Sequence, residues 1–174
     1  MLKTVREPAV LGFATASSES AYPKLMVALE KFGVPKRIIS FVLPLGYSFN
    51  LDGSMIYMSF AVLFIAQAYN IDLSISQQIL MLLTLMITSK GIAGVSRASL
   101  VVIAATLAMF KLPEAGILLI LAVDHFLDMG RTATNIIGNS VATAVIAKTE
   151  SHKADENEIV LIQPLTPSEQ NNSL

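Results

Sequence analysis

Three apolar stretches constrain this chain more than any other feature. Residues 38–69, 79–110 and 115–147 hold most of the hydrophobic side chains, and each is about thirty residues long. A membrane helix needs roughly 20 apolar residues, so each stretch can cross a bilayer, or cross it with a break. Composition points the same way: 53% of residues are hydrophobic and 14% charged, with a mean hydropathy of +0.63, well above that of a soluble domain. A membrane protein is the first expectation. The net charge of -1, with no basic patch interleaved with aromatics, gives no case for nucleic acid as a partner. Zero cysteines rule out a disulfide framework or thiolate metal site, and two histidines (His125, His152) argue against a zinc cluster. The short, weakly apolar piece that ends at Phe13 does not read as a secretory signal peptide.

Along the chain, polar interruptions divide these stretches. A serine-rich turn at 15–20 separates a short apolar piece from an amphipathic helix over about Pro23 to Phe32, which makes a helical hairpin over about 7–33. A helix starting near Pro35 then meets NLDGS (50–54), whose Asn50, Asp52 and Gly53 are poor interior helix residues, so the helix is expected to unwind there and resume to about 69. After a polar connection with cap candidates Ser74 and Ser76, two apolar arms of about twelve residues flank a small, polar centre at 89–99. Twelve residues rise only about 18 Å as a helix, so a re-entrant hairpin over about 76–110 fits better than a straight span. KLPEA leads into a last helix over about 113–149, and residues 151–174 read as a disordered tail. The predicted fold is all-α and membrane-embedded: two re-entrant hairpins plus two transmembrane helices, one of them unwound. The order hairpin, broken helix, hairpin, long helix suggests a two-part internal repeat.

The last helix carries the chemistry. At 100° per residue, Asp124, Asp128, Arg131, Thr132, Asn135 and Asn139 share one face about 100° wide, whereas Leu127, Met129, Ala133, Ile136, Ile137 and Val141 lie opposite. Each charge facing lipid at mid-span would cost about 2.5–3.5 kcal/mol. A purely structural Asp128–Arg131 pair at i,i+3 would answer part of this, but buried pairs seldom offset their own desolvation, and two amides plus a threonine extend the stripe. A binding role explains the whole stripe: the aspartate can accept from an ammonium group while the guanidinium forks onto a carboxylate. For Asp124 and His125 a rim salt bridge is the favoured reading.

Elsewhere, NLDGS places Asn50 and Asp52 beside the freed carbonyls of an unwound helix, a set of oxygens that suits a hard cation, although the same residues also suit an ordinary turn. SKGIAGVSRAS (89–99) has the permissive backbone of a gate, or of a plain loop outside the membrane. TASSES (15–20), taken alone, is a capped helix N-terminus.

With these four stretches in this order, the sequence resembles the dicarboxylate/amino-acid:cation symporter family, which includes the glutamate transporters. The likeness covers about residues 7–150 and rests on SSE, on NLDGS for the family pattern N-M-D-G-T, on SKGIAGV, and on DMGRTATN. It implies an elevator-type transport domain that holds substrate and cations. It also implies that Asp128 holds the substrate amino group, Arg131 its side-chain carboxylate, and that Thr132 and Asn135 complete the pocket. Ser18 would meet the main-chain carboxylate, Ser54 would stand for the motif threonine, and Gly94 would sit in the gate. Cation sites would involve Asn50, Asp52, the carbonyls of Gly46 and Ser48, the backbone near Ser89, Asn135 and Asn139; no metal beyond sodium and no organic cofactor is expected. An acidic amino acid, glutamate or aspartate, is the expected substrate, moved with protons or sodium across the plasma (inner) membrane by a multi-pass protein in contact with lipid. A C4-dicarboxylate is the alternative.

Several positions depart from the pattern. Asn139 stands where sodium-coupled members place an aspartate, Lys90 and Ile92 replace an apolar residue and a threonine, and Ser96 replaces a common proline. The family has six further helices before the first hairpin, including the scaffold of its trimer, so this chain reads as the C-terminal half only. The expectation is a fragment that does not transport alone, that forms homotrimers when full length, or that assembles with full-length subunits. An intramembrane protease built on Asp52 and Asp128 is disfavoured, because an arginine one turn away would depress one pKa and oppose a shared proton. No enzyme is expected.

Overall fold

The computed structural model describes residues 1–92 and 98–162, and among these it is all-helical. Helix α1 (Leu2–Thr15) ends at Ala16, whose positive φ of 48° turns the chain back. Ser17 then caps α2 (Ser18–Lys31), its hydroxyl accepting from the Ser20 N–H at 3.4 Å. That cap, with Glu19 in the first turn, starts α2 five residues before the Pro23 predicted from sequence. The two helices pack side by side, tied at the surface by Lys24 Nζ to Glu7 at 2.5 Å.

Helix α3 (Lys36–Phe49) and helix α4 (Asp52–Ala68) are separated only by Asn50 and Leu51, both off helical geometry. The 33 residues of Lys36–Ala68 are long and apolar enough to cross a membrane. Helix α5 (Ile75–Thr88) begins in a capping box. The Ser74 hydroxyl accepts from the Gln77 N–H at 3.3 Å, and the Gln77 side chain accepts from the Ser74 N–H at 2.9 Å. A 3-10 turn (Ser89–Ile92) follows, and α6 (Ser99–Met109) resumes beyond the described gap. With 14 and 11 residues, α5 and α6 rise only about 21 and 17 Å, less than the hydrocarbon core.

Helix α7 (Ile117–Ile162) is 46 residues long. It continues past residue 149, its expected end, and so through the first part of the expected disordered tail. The sequence after Glu150 offers no clear apolar face, but Lys153, Ala154, Glu156 and Glu158 are good helix formers, and extending a helix needs no new nucleus. Residues 163–174 lie outside the described residues.

Two apolar clusters organise the packing. One joins α1, α2 and α3 with Ile136 and Ala147 of α7; the other joins α4, α5 and α6 with Ile120 near the start of α7. The break at Asn50–Leu51 is where the chain passes from one cluster to the other, and the middle of α7 spans both. A broken helix therefore faces an unbroken one at the junction, where neither cluster supplies apolar cover. The outer surface is strongly apolar: Phe41, Phe60, Leu118 and Phe126 are each 69–70% exposed, more than a soluble monomer tolerates and suited to acyl chains or further protein.

Candidate functional site

The polar stripe of α7 is turned inward. Asp124, Asp128, Thr132, Asn135 and Asn139 are all buried, and His125 and Leu127 are exposed. Asp128 and Arg131 form the centre. One carboxylate oxygen, Oδ1, accepts from Arg131 Nε at 2.7 Å and lies 2.6 Å from its Nη2. Nη1 points away from the aspartate and donates to the Ser54 hydroxyl at 3.4 Å and to the Ser99 hydroxyl. The second carboxylate oxygen of Asp128, Oδ2, is buried and has no hydrogen-bond partner among the described residues. In a group only 2% exposed such an orphan is costly unless something else completes it. Arg131 also lies 5.8 Å from the ring centre of Tyr57, a cation–π distance.

Asn135 acts on the helix break. Its side-chain oxygen accepts from the Gly53 N–H at 2.8 Å and its amide nitrogen donates to Ser54 at 3.1 Å. The residue preceding α4, Leu51, has no side chain able to cap, so α7 supplies the N-terminal cap of α4 from outside. The approach is close: a Cβ at Gly53 would lie 2.5 Å from the Arg131 carbonyl oxygen and 2.9 Å from its Cα. Backbone cannot yield as a side-chain tip can. Gly53→Ala is therefore expected to lower stability by about 1–3 kcal/mol, read as a lower midpoint of thermal unfolding in detergent.

A second polar group gathers at the end of α3. Asn50 Nδ2 donates to Asn139 Oδ1 at 3.2 Å, and Gly46 packs so tightly on that same oxygen that any Cβ would clash. Asp52, exposed at the start of α4, directs Oδ2 at Gly138, where a Cβ would sit 2.6 Å away. The break thus brings Gly46, Asn50, Asp52 and Asn139 together, with Ser48 in the last turn of α3. Among the described residues no group of three or more His, Cys, Asp and Glu could hold a metal ion; amide, carboxylate and backbone oxygens are hard donors.

Other predicted residues sit elsewhere. The carbonyl of Ser18 accepts from the Tyr47 hydroxyl, and Tyr47 stacks edge-on against Tyr22 at 5.0 Å, which pins the α1–α2 turn to α3. Among the described residues no hydrogen bond joins Ser18 to the α7 stripe. Thr132 turns its methyl towards Gly12 of α1. Ser89 is fully buried, its hydroxyl donating to the Met86 carbonyl at 3.1 Å. Gly94 lies outside the described residues.

Two participants were not singled out from sequence. Ser99 closes the SKGIAGVSRAS centre and opens α6, which aims its hydroxyl at Arg131. Tyr57 lies one helical turn after Gly53 and donates to Asp124 Oδ1 at 2.6 Å, so Asp124 is 1% exposed rather than a rim residue. Removing that hydroxyl takes a charge-assisted bond from a buried carboxylate. Tyr57→Phe is expected to cost about 1.5–3 kcal/mol of stability, measured by thermal unfolding.

Comparisons with known proteins identify the family. The sequence profile of the Sodium:dicarboxylate symporter family matches residues 1–149. The chain is 51% identical over 156 residues to a proton/sodium-glutamate symport protein of Bacillus caldotenax, an alignment covering 90% of this chain and 37% of that protein. It is 52% identical over 155 residues to the proton/glutamate-aspartate symporter of Escherichia coli (strain K12), covering 89% and 35%. It is also 52% identical over 151 residues to a C4-dicarboxylate transport protein of Rhodospirillum rubrum, covering 86% and 34%. The chain spans about a third of the length of these relatives. With an inward-facing Asp/Arg stripe opposite a broken helix, and a profile match over most of its length, the chain belongs to the sodium:dicarboxylate symporter family.

Proposed function

We propose that this chain forms the carboxylate-binding and cation-binding core of a symporter that takes up acidic amino acids, glutamate or aspartate, with protons or sodium across the plasma (inner) membrane. The observation that carries this reading is that, among the described residues, Oδ2 of Asp128 has no partner and the Nη1 side of the neighbouring guanidinium meets only hydroxyls. A substrate ammonium donates to Oδ2. A substrate carboxylate takes the Nη1 edge of Arg131 in place of the Ser54 and Ser99 hydroxyls, exchanging neutral acceptors for a charged one. Thr132 and Asn135, one and two turns on, complete the pocket, and Ser18 and Gly94 complete its hairpin side. The cation binds at the α3–α4 break among Asn50, Asp52, Asn139 and the carbonyls of Gly46 and Ser48, with Asn135 and the backbone at Ser89 on its flank. In this reading the helix pairs α1–α2 and α5–α6 are re-entrant hairpins of an elevator-type unit, and the complete protein is a homotrimer.

A C4-dicarboxylate is the second reading, favoured by the similarity to the Rhodospirillum rubrum protein. It would leave Oδ2 without a donor unless a proton came with the substrate. Calorimetric titration of the purified chain in lipid nanodiscs with L-glutamate, L-aspartate and succinate separates the two. The amino acids are expected to bind at least about tenfold more tightly than succinate, the worth of one charge-assisted hydrogen bond. The reverse order would establish the dicarboxylate reading. Proteoliposome uptake by the chain alone, and again with a longer family member co-reconstituted, tells whether it transports alone or only in assembly.

A further inference from the structure

Helix α3 ends at Phe49 inside an apolar span, and the last carbonyls of a helix run out of i+4 donors. The Gly46 carbonyl still takes the i+4 bond, from the Asn50 N–H at 2.8 Å. The Phe49 carbonyl is met by the ammonium of Lys90 at 2.5 Å, a contact between residues 41 apart that joins the turn after α5 to the end of α3. A helix C-terminus carries about half a negative charge, so a cation there is favoured. Asn50, which follows Phe49, is neutral and bonds to the neutral Asn139. Among the described residues no carboxylate pairs with Lys90. Its ammonium is held by the helix end.

We propose that Lys90 is a tethered cation: at the α3 terminus its ammonium takes the place of one free monovalent cation, and removing its charge opens a sodium-binding position there. This deepens the reading of the break as a cation site and rests on it. The vacated position would be headed by the Phe49 carbonyl, a hard donor suited to an alkali cation, at the edge of the α3–α4 break. A covalently attached ammonium needs no capture from solution, since its effective concentration is set by the chain. Nor is it released with substrate, so the chain needs one free cation fewer for the same neutralisation.

Thermal unfolding in detergent micelles without any substrate, in choline chloride or sodium chloride of equal ionic strength, tests this. Equal ionic strength holds screening constant. Lys90→Met and Lys90→Gln are expected to gain a sodium-dependent rise in midpoint of about 3 °C or more beyond that of the unaltered chain, because an ion that binds only the folded state stabilises it. Lys90→Gln separates charge from hydrogen bonding, since its amide can still donate to Phe49. Lys90→Arg keeps the charge and is expected to respond as the unaltered chain does. The proposal is overturned if Met and Gln variants respond to sodium no more than the unaltered chain, or if Lys90→Arg gains the same response. With no substrate present, its failure is separate from failure of the carboxylate-binding reading, which the calorimetry decides.

Discussion

Asp128→Asn is expected to weaken binding of L-glutamate and L-aspartate by about 30-fold to 5000-fold, the range for removing one member of a desolvated charge pair. The same change should cost succinate less than about tenfold. The asymmetry follows from the two oxygens of this carboxylate. Oδ1 serves Arg131 at 2.7 Å, whereas Oδ2 has no partner among the described residues. An asparagine that presents its oxygen to Arg131 puts an NH2 group where Oδ2 was, and that group repels an ammonium but tolerates a ligand without one. Calorimetric titration of both ligand types against the variant and the unaltered chain reads the difference. Equal losses for amino acid and dicarboxylate would show that Asp128 supports the site only through Arg131, and the amino-acid pocket would have to be abandoned.

Arg131→Ala is expected to be more severe. It removes the cation from beside a carboxylate that is 2% exposed, and breaking a buried pair in this way costs about 3–5 kcal/mol. Nη1 also links Ser54 of α4 to Ser99 of α6, so two helices lose a common tether. Amino acids and succinate should both fail to bind measurably, and the unfolding midpoint should fall. A double variant, Arg131→Met with Asp128→Leu, is expected to recover much of the stability and none of the binding, since an apolar pair leaves no buried charge unpaired. Recovery of stability in the double variant separates the pair's structural cost from its binding role; retained binding in either would dismantle the site.

Tyr57 and Ser99 show why part of the site could not be read from the chain. Each is an ordinary residue for its own helix, and nothing in its local spacing marks it. Tyr57 matters because α4 lies against α7 and places its hydroxyl on Asp124; Ser99 matters because α6 begins beside Arg131. Asn135 illustrates the converse. Its place on the α7 face follows from periodicity, but its two bonds to Gly53 and Ser54 make it the cap of another helix.

By itself the sequence determined that one side of the last helix is polar from Asp124 to Asn139, that a helix breaks near Asn50 and Asp52, and in what order apolar arms and polar centres follow. Those are consequences of the 100° step of a helix and of local backbone preference, which act within a few residues. Only the tertiary structure decided that the break faces the polar side, that Arg131 engages one oxygen of Asp128 and not the other, and that Lys90 reaches the end of α3. Such contacts join residues far apart in the chain, and they are selected by how two apolar clusters pack around one long helix, a choice that no local preference encodes.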